Sequence, residues 1–79
     1  MNDVEKRLVK CFETVFSDLP ADEVPRASQA SVAAWDSVAA IMLVNVIEEE
    51  FNFQVDFELL AELDSFERIL HYVETQVPA

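Results

Sequence analysis

The sequence predicts an all-α fold, a four-helix bundle with three main helices, one short helix and a long first loop. Three segments carry apolar residues at helical spacings of three and four. Each of them begins near a polar residue of the kind that caps helices. No alternating stretch is long enough to indicate a sheet. The chain has 79 residues, of which 52% are hydrophobic, so we expect one folded domain over residues 1–79.

The first helix is predicted over residues 2–16, with Asn2 or Asp3 available as its N-cap. Apolar side chains recur along one face of this segment, a pattern typical of an amphipathic helix. The residues of that face are Val4, Leu8, Cys11, Phe12, Val15 and Phe16.

Residues 17–36 are predicted to form a long loop. Pro20 and Pro25 interrupt any long helix, and the stretch is rich in alanine, serine and acidic residues. Loops of this length are uncommon in compact domains and are usually functional or disordered. The apolar residues expected to hold this loop to the core are Val24, Ala27, Ala30 and Val32.

The most regular helical pattern covers residues 37–51 and begins directly after Asp36, a preferred N-cap residue. Asn52 is expected to end this helix. Its apolar positions are Val38, Ile41, Met42, Leu43 or Val44, Ile47 and Phe51.

Two further helices are expected in the last third of the chain. A helix of one or two turns fits residues 56–62, and a longer one starts after Asp64 or Ser65 and ends near Gln76. The apolar face of the last helix consists of Phe66, Ile69, Leu70 and Val73.

The composition excludes several classes of function. The formal net charge of −11 repels phosphate backbones and anionic lipid surfaces, so we expect no nucleic-acid or membrane partner. The sequence has no glycine, which removes glycine-rich nucleotide-binding loops, and its single cysteine cannot form an internal disulfide. No segment resembles a secretory signal or a membrane span. We expect a cytoplasmic monomer.

The side chains do not suggest an active site, and we expect neither catalytic residues nor a metal. His71 is expected to be a solvated surface imidazole, and Cys11 a buried, unreactive thiol. The run Glu48-Glu49-Glu50 offers carboxylates, but adjacent helical residues point in different directions. A solvated edge that faces a partner is the better interpretation of this run.

The segment Trp35-Asp36-Ser37-Val38 lies where the long loop meets the most regular helix. One interpretation is structural: Asp36 caps the helix, Val38 enters the core and Trp35 anchors the loop. The other is functional, since a hydroxyl in the first turn of a helix lies beside unpaired N–H groups that would stabilise a phosphodiester. No base is available to activate Ser37, so the serine would be the acceptor in a reaction catalysed by another enzyme.

With this motif the sequence resembles the acyl carrier proteins and related carrier domains. The family has Asp-Ser-Leu at the start of the second of four helices, and a Glu-Glu-Glu-Phe-like end to that helix. Here the motif is Asp36-Ser37-Val38 and the helix end is Glu48-Glu49-Glu50-Phe51. The resemblance covers nearly the whole chain, and implies the helical fold predicted above.

The resemblance implies that 4'-phosphopantetheine from coenzyme A is attached to Ser37, and that its thiol carries an acyl or aminoacyl group as a thioester. Asp36 would cap the helix and help the modifying transferase to recognise the site. The implied partners are a phosphopantetheinyl transferase, an acyl- or aminoacyl-loading ligase, and a downstream synthase or transferase. The protein itself would not be an enzyme.

The sequence departs from the family pattern near the serine. Ala34 replaces a common glycine, Val38 replaces leucine, and Ala39 and Met42 stand where fatty-acid carriers commonly have acidic residues. Because carriers use acidic helix faces to meet basic patches, we expect altered partner choice and a specialised biosynthetic pathway. The expected partner surface consists of Trp35, Val38, Met42, Glu48 and Glu49.

Two alternatives remain at the level of the sequence. One is a primary carrier of fatty-acid biosynthesis. The other is an acidic helical interaction module without a prosthetic group, in which Trp35 and Met42 form the contact surface and Ser37 is only a residue of the first turn.

Overall fold

The computed structural model describes residues 3–77 and contains three α-helices and two 3₁₀ helices. Helix α1 covers Asp3–Val15, α2 covers Ser37–Phe51 and α3 covers Phe66–Gln76. The first 3₁₀ helix is the single turn Val24–Arg26, and the second covers Phe57–Glu62. The three main helices, the short helix and the long first loop are therefore confirmed.

The starts of α2 and α3 agree with the predicted caps, whereas Asp3 is the first residue of α1 and not its cap. The side chain of Ser65, not that of Asp64, accepts a hydrogen bond from the backbone N–H of Arg68 at the start of α3. Asn52 ends α2 in the left-handed conformation, with φ of 58°. Asparagine tolerates this conformation better than most residues. The proposed cap at Asn2 lies outside the described residues.

The core contains an aromatic cluster that joins α1, the long loop and α3. The ring of Phe12 lies 5.4 Å from Trp35 and 5.2 Å from Phe66 between centroids, both in edge-to-face geometry. Phe16 lies 5.6 Å from Trp35. Such contacts add to the free energy of burying large rings, so this cluster fixes the end of the loop directly before α2.

The long loop is held by backbone hydrogen bonds as well as by apolar contacts. The N–H of Phe66 donates to the carbonyl of Ala27, and the N–H of Gln29 donates to the carbonyl of Asp64. Val24 and Ala27 are buried and Val32 packs against the core, as predicted. Ala30 is exposed, so its predicted role in holding the loop is wrong.

The apolar pattern of α2 predicted its buried face only in part. Leu43, Ile47 and Phe51 are buried as expected, whereas Val38 is 66% exposed and does not enter the core. Residues 37–47 carry no charge at all, so no charged side chain marked which face points to water. The packing of α2 against α1 and α3 decides it.

Candidate functional site

Asp36 holds the start of α2 as an N-cap. Its backbone is extended, with φ of −100° and ψ of −172°, and its Oδ1 accepts a hydrogen bond of 2.8 Å from the N–H of Ala39. Its carbonyl accepts the first helical hydrogen bond, from Ala40, at 2.9 Å. The cap is therefore supplied by aspartate, and Ser37 becomes the first residue inside the helix.

Ser37 is exposed at this helix start. The backbone N–H groups of Ser37 and Val38 have no hydrogen-bond acceptor within the helix. This is general for the first turn of a helix, because no helical carbonyl precedes it. No other acceptor for them occurs among residues 3–77. Together with the helix dipole, these N–H groups favour a negative charge placed beside the Ser37 hydroxyl.

The other serines with described side-chain contacts are less available than Ser37. The hydroxyls of Ser28 and Ser31 bond to each other at 3.1 Å, and the Ser65 hydroxyl accepts from the N–H of Arg68 at 3.2 Å. Ser17 is exposed but lies in a turn outside any helix. Among the described residues, only Ser37 combines an exposed hydroxyl with a helix N-terminus.

Trp35 does not belong to the surface where it was predicted. It is only 3% exposed, and its indole packs against the rings of Phe12 and Phe16, which also contact each other. A side chain in this position anchors the loop in front of Asp36 and offers no contact to a partner. The structural interpretation of Trp35 is confirmed, and its predicted place in the partner surface is wrong.

Three apolar side chains form an exposed stripe on α2 within five residues of Ser37. Val38 is 66% exposed, Met42 is 51% exposed and Ile41 is 43% exposed. Ile41 was not in the predicted partner surface, although its spacing from Val38 and Met42 already placed all three on neighbouring positions of one helix. We call Val38, Ile41 and Met42 the apolar stripe.

The three glutamates at the end of α2 do not form a uniform solvated edge. Glu48 is half-buried, and its carboxylate accepts a hydrogen bond of 2.8 Å from the N–H of Val55. The carboxylate of Glu50 pairs with Arg7 at 2.8 Å. Glu49 is exposed. The carboxylate of Glu48 therefore holds the connection that follows α2, and its partner role stays a prediction.

Cys11 and His71 stay apart from the site. Cys11 is 2% exposed, and burial raises the pKa of its thiol from 9.0 to about 11, with the Glu50 carboxylate acting in the same direction. The thiol is therefore protonated at neutral pH, as expected for an unreactive cysteine. His71 is exposed on α3, as predicted.

The described residues contain no group of three or more histidine, cysteine, aspartate or glutamate side chains that could hold a metal ion. Within residues 3–77 there is also no helix that is long and apolar enough to cross a membrane.

The surroundings of Ser37 fit a phosphodiester. The hydroxyl is open to an incoming phosphate, and the N–H groups of Ser37 and Val38 are available to its oxygens. The nearest carboxylate in sequence is that of Asp36, and its Oδ1 faces the N–H of Ala39. A singly charged phosphodiester on Ser37 would therefore find hydrogen-bond donors, the N–H groups of Ser37 and Val38, at this helix start.

Comparison with family models matches residues 6–73 to the phosphopantetheine attachment site family. The match spans most of the chain and includes the whole of α2, so the protein belongs to this family of carrier domains. Comparisons with curated proteins and with solved structures gave no significant match.

Membership defines the prosthetic group and the general role. Members of the family carry 4'-phosphopantetheine as a covalently bound group. They are non-catalytic carriers that act together with phosphopantetheinyl transferases and biosynthetic enzymes. The resemblance drawn from the Asp-Ser-Val motif and the helix end is thereby confirmed at the level of the family.

Proposed function

We propose that Ser37 is the residue that carries 4'-phosphopantetheine, and that the arm holds an acyl or aminoacyl group as a thioester. The observation that carries this proposal is the exposed hydroxyl of Ser37 at the start of α2, inside the segment that matches the family. A second support is that the other described helix-start serine, Ser65, uses its hydroxyl to cap α3.

The modification forms one bond and breaks one. Oγ of Ser37 bonds to the phosphorus that bears pantetheine in coenzyme A, and the phosphoanhydride bond to the adenosine part breaks. Adenosine 3',5'-bisphosphate leaves, and the hydroxyl proton passes to a base of the transferase. The chain supplies the acceptor and the N–H donors of Ser37 and Val38, whereas the catalytic groups come from the other enzyme.

The apolar stripe supports partners that bind through apolar contact. Val38, Ile41 and Met42 lie within five residues of Ser37, which is about 7.5 Å along the helix axis, so an enzyme that reaches Ser37 covers them. No acidic residue lies in the first turn of α2. These features favour a specialised pathway over the primary fatty-acid pathway. Glu49 remains the acidic candidate at the far end of the same helix.

The attachment is tested by incubating the protein with coenzyme A and a broad-specificity phosphopantetheinyl transferase, and measuring the intact mass. The wild type should gain one arm and Ser37→Ala none. Ser17→Ala is the matched control, since it removes another exposed serine hydroxyl and should load like the wild type. Labelling of Ser37→Ala, or no labelling of the wild type, would contradict the proposal.

The partner surface is tested with the same transferase at increasing sodium chloride. Met42→Glu places a charge in the apolar stripe. If the transferase binds the stripe in an apolar groove, this variant should have a higher KM than the wild type, and its KM should depend more strongly on salt. The KM of the wild type should change little with salt, because exposed charges are screened within about 10 Å at 0.1 M and apolar contacts are not. A matched change at Gln54, Gln54→Glu, adds the same charge outside α2 and should leave the KM unchanged. A wild-type KM that rises steeply with salt would contradict the apolar surface.

A further inference from the structure

A surface groove lies between the end of α1 and the last part of the long loop. Its volume is about 250 Å³. Ala34, one of its lining residues, stands three residues before Ser37. At no more than about 3.6 Å per residue, the Cα atoms of Ala34 and Ser37 lie within about 11 Å of each other. The other lining residues are Val15, Phe16, Ser17, Asp18, Leu19 and Val32.

The lining of this groove is mainly apolar. Val15, Leu19 and Val32 are half-buried, so part of each side chain faces the solvent. Asp18 is the only charged residue among the seven that line the groove. Apolar groups of a ligand placed against these side chains would be removed from water, which is favourable in proportion to the area covered.

Three of the lining residues also offer backbone donors. The N–H groups of Ser17, Asp18 and Ala34 donate to no acceptor among residues 3–77. The N–H of Leu19, by contrast, donates to the carbonyl of Phe16 at 3.0 Å. Backbone donors take their acceptors from the protein, from water or from a ligand. The groove therefore suits an uncharged ligand that combines methyl groups with carbonyl oxygens.

We propose that this groove is the resting site of the arm on Ser37, and that it holds the pantetheine part of the arm while no partner enzyme is bound. The proposal rests on Ser37 as the attachment residue. Pantetheine is uncharged beyond the phosphate, so the Asp18 carboxylate does not repel it. It combines a geminal dimethyl group with two amides, whose carbonyl oxygens accept hydrogen bonds. An extended arm measures roughly 16 Å, at the advance per bond of an extended chain, so it reaches the groove.

Ala34 gives this groove a feature that depends on the sequence of this chain, since many carriers have glycine at this position. Within residues 3–77, only Asn52 has a positive φ. Ala34 therefore adopts its loop conformation without the strain that would call for glycine. Glycine here would remove an apolar methyl group from a lining residue of the groove.

NMR of the protein loaded from coenzyme A labelled with ¹³C and ¹⁵N tests the resting site. The geminal methyl groups of the arm should show NOEs to the methyl groups of Leu19 and Val32. The amides of the arm should have order parameters above about 0.6, because a flexible chain falls below this value. Lower order parameters without NOEs to the groove, or NOEs to the apolar stripe instead, would overturn the inference.

Leu19→Ala tests the lining of the groove. It should at least halve the NOE intensities between the arm and Val32, and lower the order parameters of the arm amides. Leu59→Ala is the matched control, because Leu59 is also a half-buried leucine but lines a separate groove. It should leave both measurements as in the wild type. Equal values in the two variants would overturn the assignment of the groove.

Two further measurements keep these outcomes separate. Ala34→Gly changes an exposed residue, and it replaces Leu19→Ala if circular dichroism shows that the latter does not fold. It should act in the same direction with a smaller effect. Intact mass is measured first. Failure to load Ser37 contradicts the proposed function, whereas a loaded arm that stays in solvent or binds elsewhere contradicts only the resting site.

Discussion

The starts of α2 and α3 have the same cap geometry but use their serines differently. At α3, Ser65 is the cap itself, and its hydroxyl accepts from the N–H of Arg68 at 3.2 Å. At α2, Asp36 is the cap and accepts from the N–H of Ala39 at 2.8 Å. The serine follows one residue later, and its hydroxyl stays exposed.

This difference shows that the position at which the helix begins decides whether the hydroxyl is available, because an aspartate precedes the serine at both helix starts. Both helix starts have N–H groups in their first turn that favour an anion. Only at α2 does the cap leave a serine inside the first turn. A helix terminus is thus common to both regions, and the position of the serine relative to the cap distinguishes them.

Moving the serine by one residue should have the largest effect. In the double variant Asp36→Ser with Ser37→Ala, the serine occupies the cap, as at α3, and its hydroxyl should accept from the N–H of Ala39. We expect loading by the transferase to be lost completely, while the helical circular dichroism remains. The single variant Asp36→Asn keeps both a cap and Ser37 and should still load, more slowly than the wild type because the transferase no longer meets the Asp36 carboxylate. Full loading of the double variant would break the comparison.

Cys11 extends the comparison to a second nucleophile. A thiol is a stronger nucleophile than the hydroxyl of Ser37, but the thiol of Cys11 is buried and not accessible. The pKa of its thiol is raised from 9.0 to about 11 by burial and, in second place, by Glu50, with Arg7 opposing them. The unfolded chain therefore loses this proton first as the pH rises. Stability contributed by the neutral thiol is fully present below about pH 9 and is lost between pH 9 and 11.

The expected loss is on the order of 2 to 3 kcal/mol in the free energy of unfolding, at about 1.4 kcal/mol per pKa unit. Urea unfolding at several values of pH measures it, with Cys11→Ala as the reference that lacks the titrating group. A difference between wild type and Cys11→Ala that stays constant from pH 8 to 11 would contradict this prediction. Alkylation of the folded protein at pH 8 should also be much slower than that of free cysteine.

The two serines should also differ in stability when each is replaced by alanine. Ser65→Ala removes the cap and leaves the N–H of Arg68 without its acceptor, so unfolding should become easier by about 1 kcal/mol. Ser37→Ala removes no side-chain hydrogen bond described in residues 3–77, and alanine favours helix. Its effect should lie within about 0.5 kcal/mol of zero. Equal losses in the two variants, measured by urea unfolding, would show that Ser37 also supports the fold.

Much of the fold was predictable because its signals are local. The spacing of apolar residues marked all three long helices, and prolines marked the long loop. Asp36 was recognisable as a cap and the last cap was narrowed to Asp64 or Ser65, since the residue types that accept from first-turn N–H groups are few. Ser37 as the candidate site followed from its place directly after Asp36 and from the resemblance of that motif to carrier proteins.

The exposure and contacts of the residues proposed for the partner surface were predicted less well, because other parts of the chain decide them. Glu48 was expected at the surface, but its carboxylate accepts from Val55, seven residues along the chain. Glu50 pairs with Arg7 on α1, a partner that local sequence does not indicate. Ile41 was missed as an exposed residue because apolar residues are expected to be inside.

The sequence by itself determined the helices, the cap at Asp36 and the position of Ser37 one residue later, because these depend on interactions within one or two turns of chain. Only the tertiary structure decided which side of α2 faces water and that Trp35 lies inside. A helix that is uncharged from 37 to 47 can bury almost any face, and the face it buries depends on the shape of α1 and α3. The indole of Trp35 is drawn inside because Phe12 and Phe16, some twenty residues earlier, form the apolar surface on which it packs.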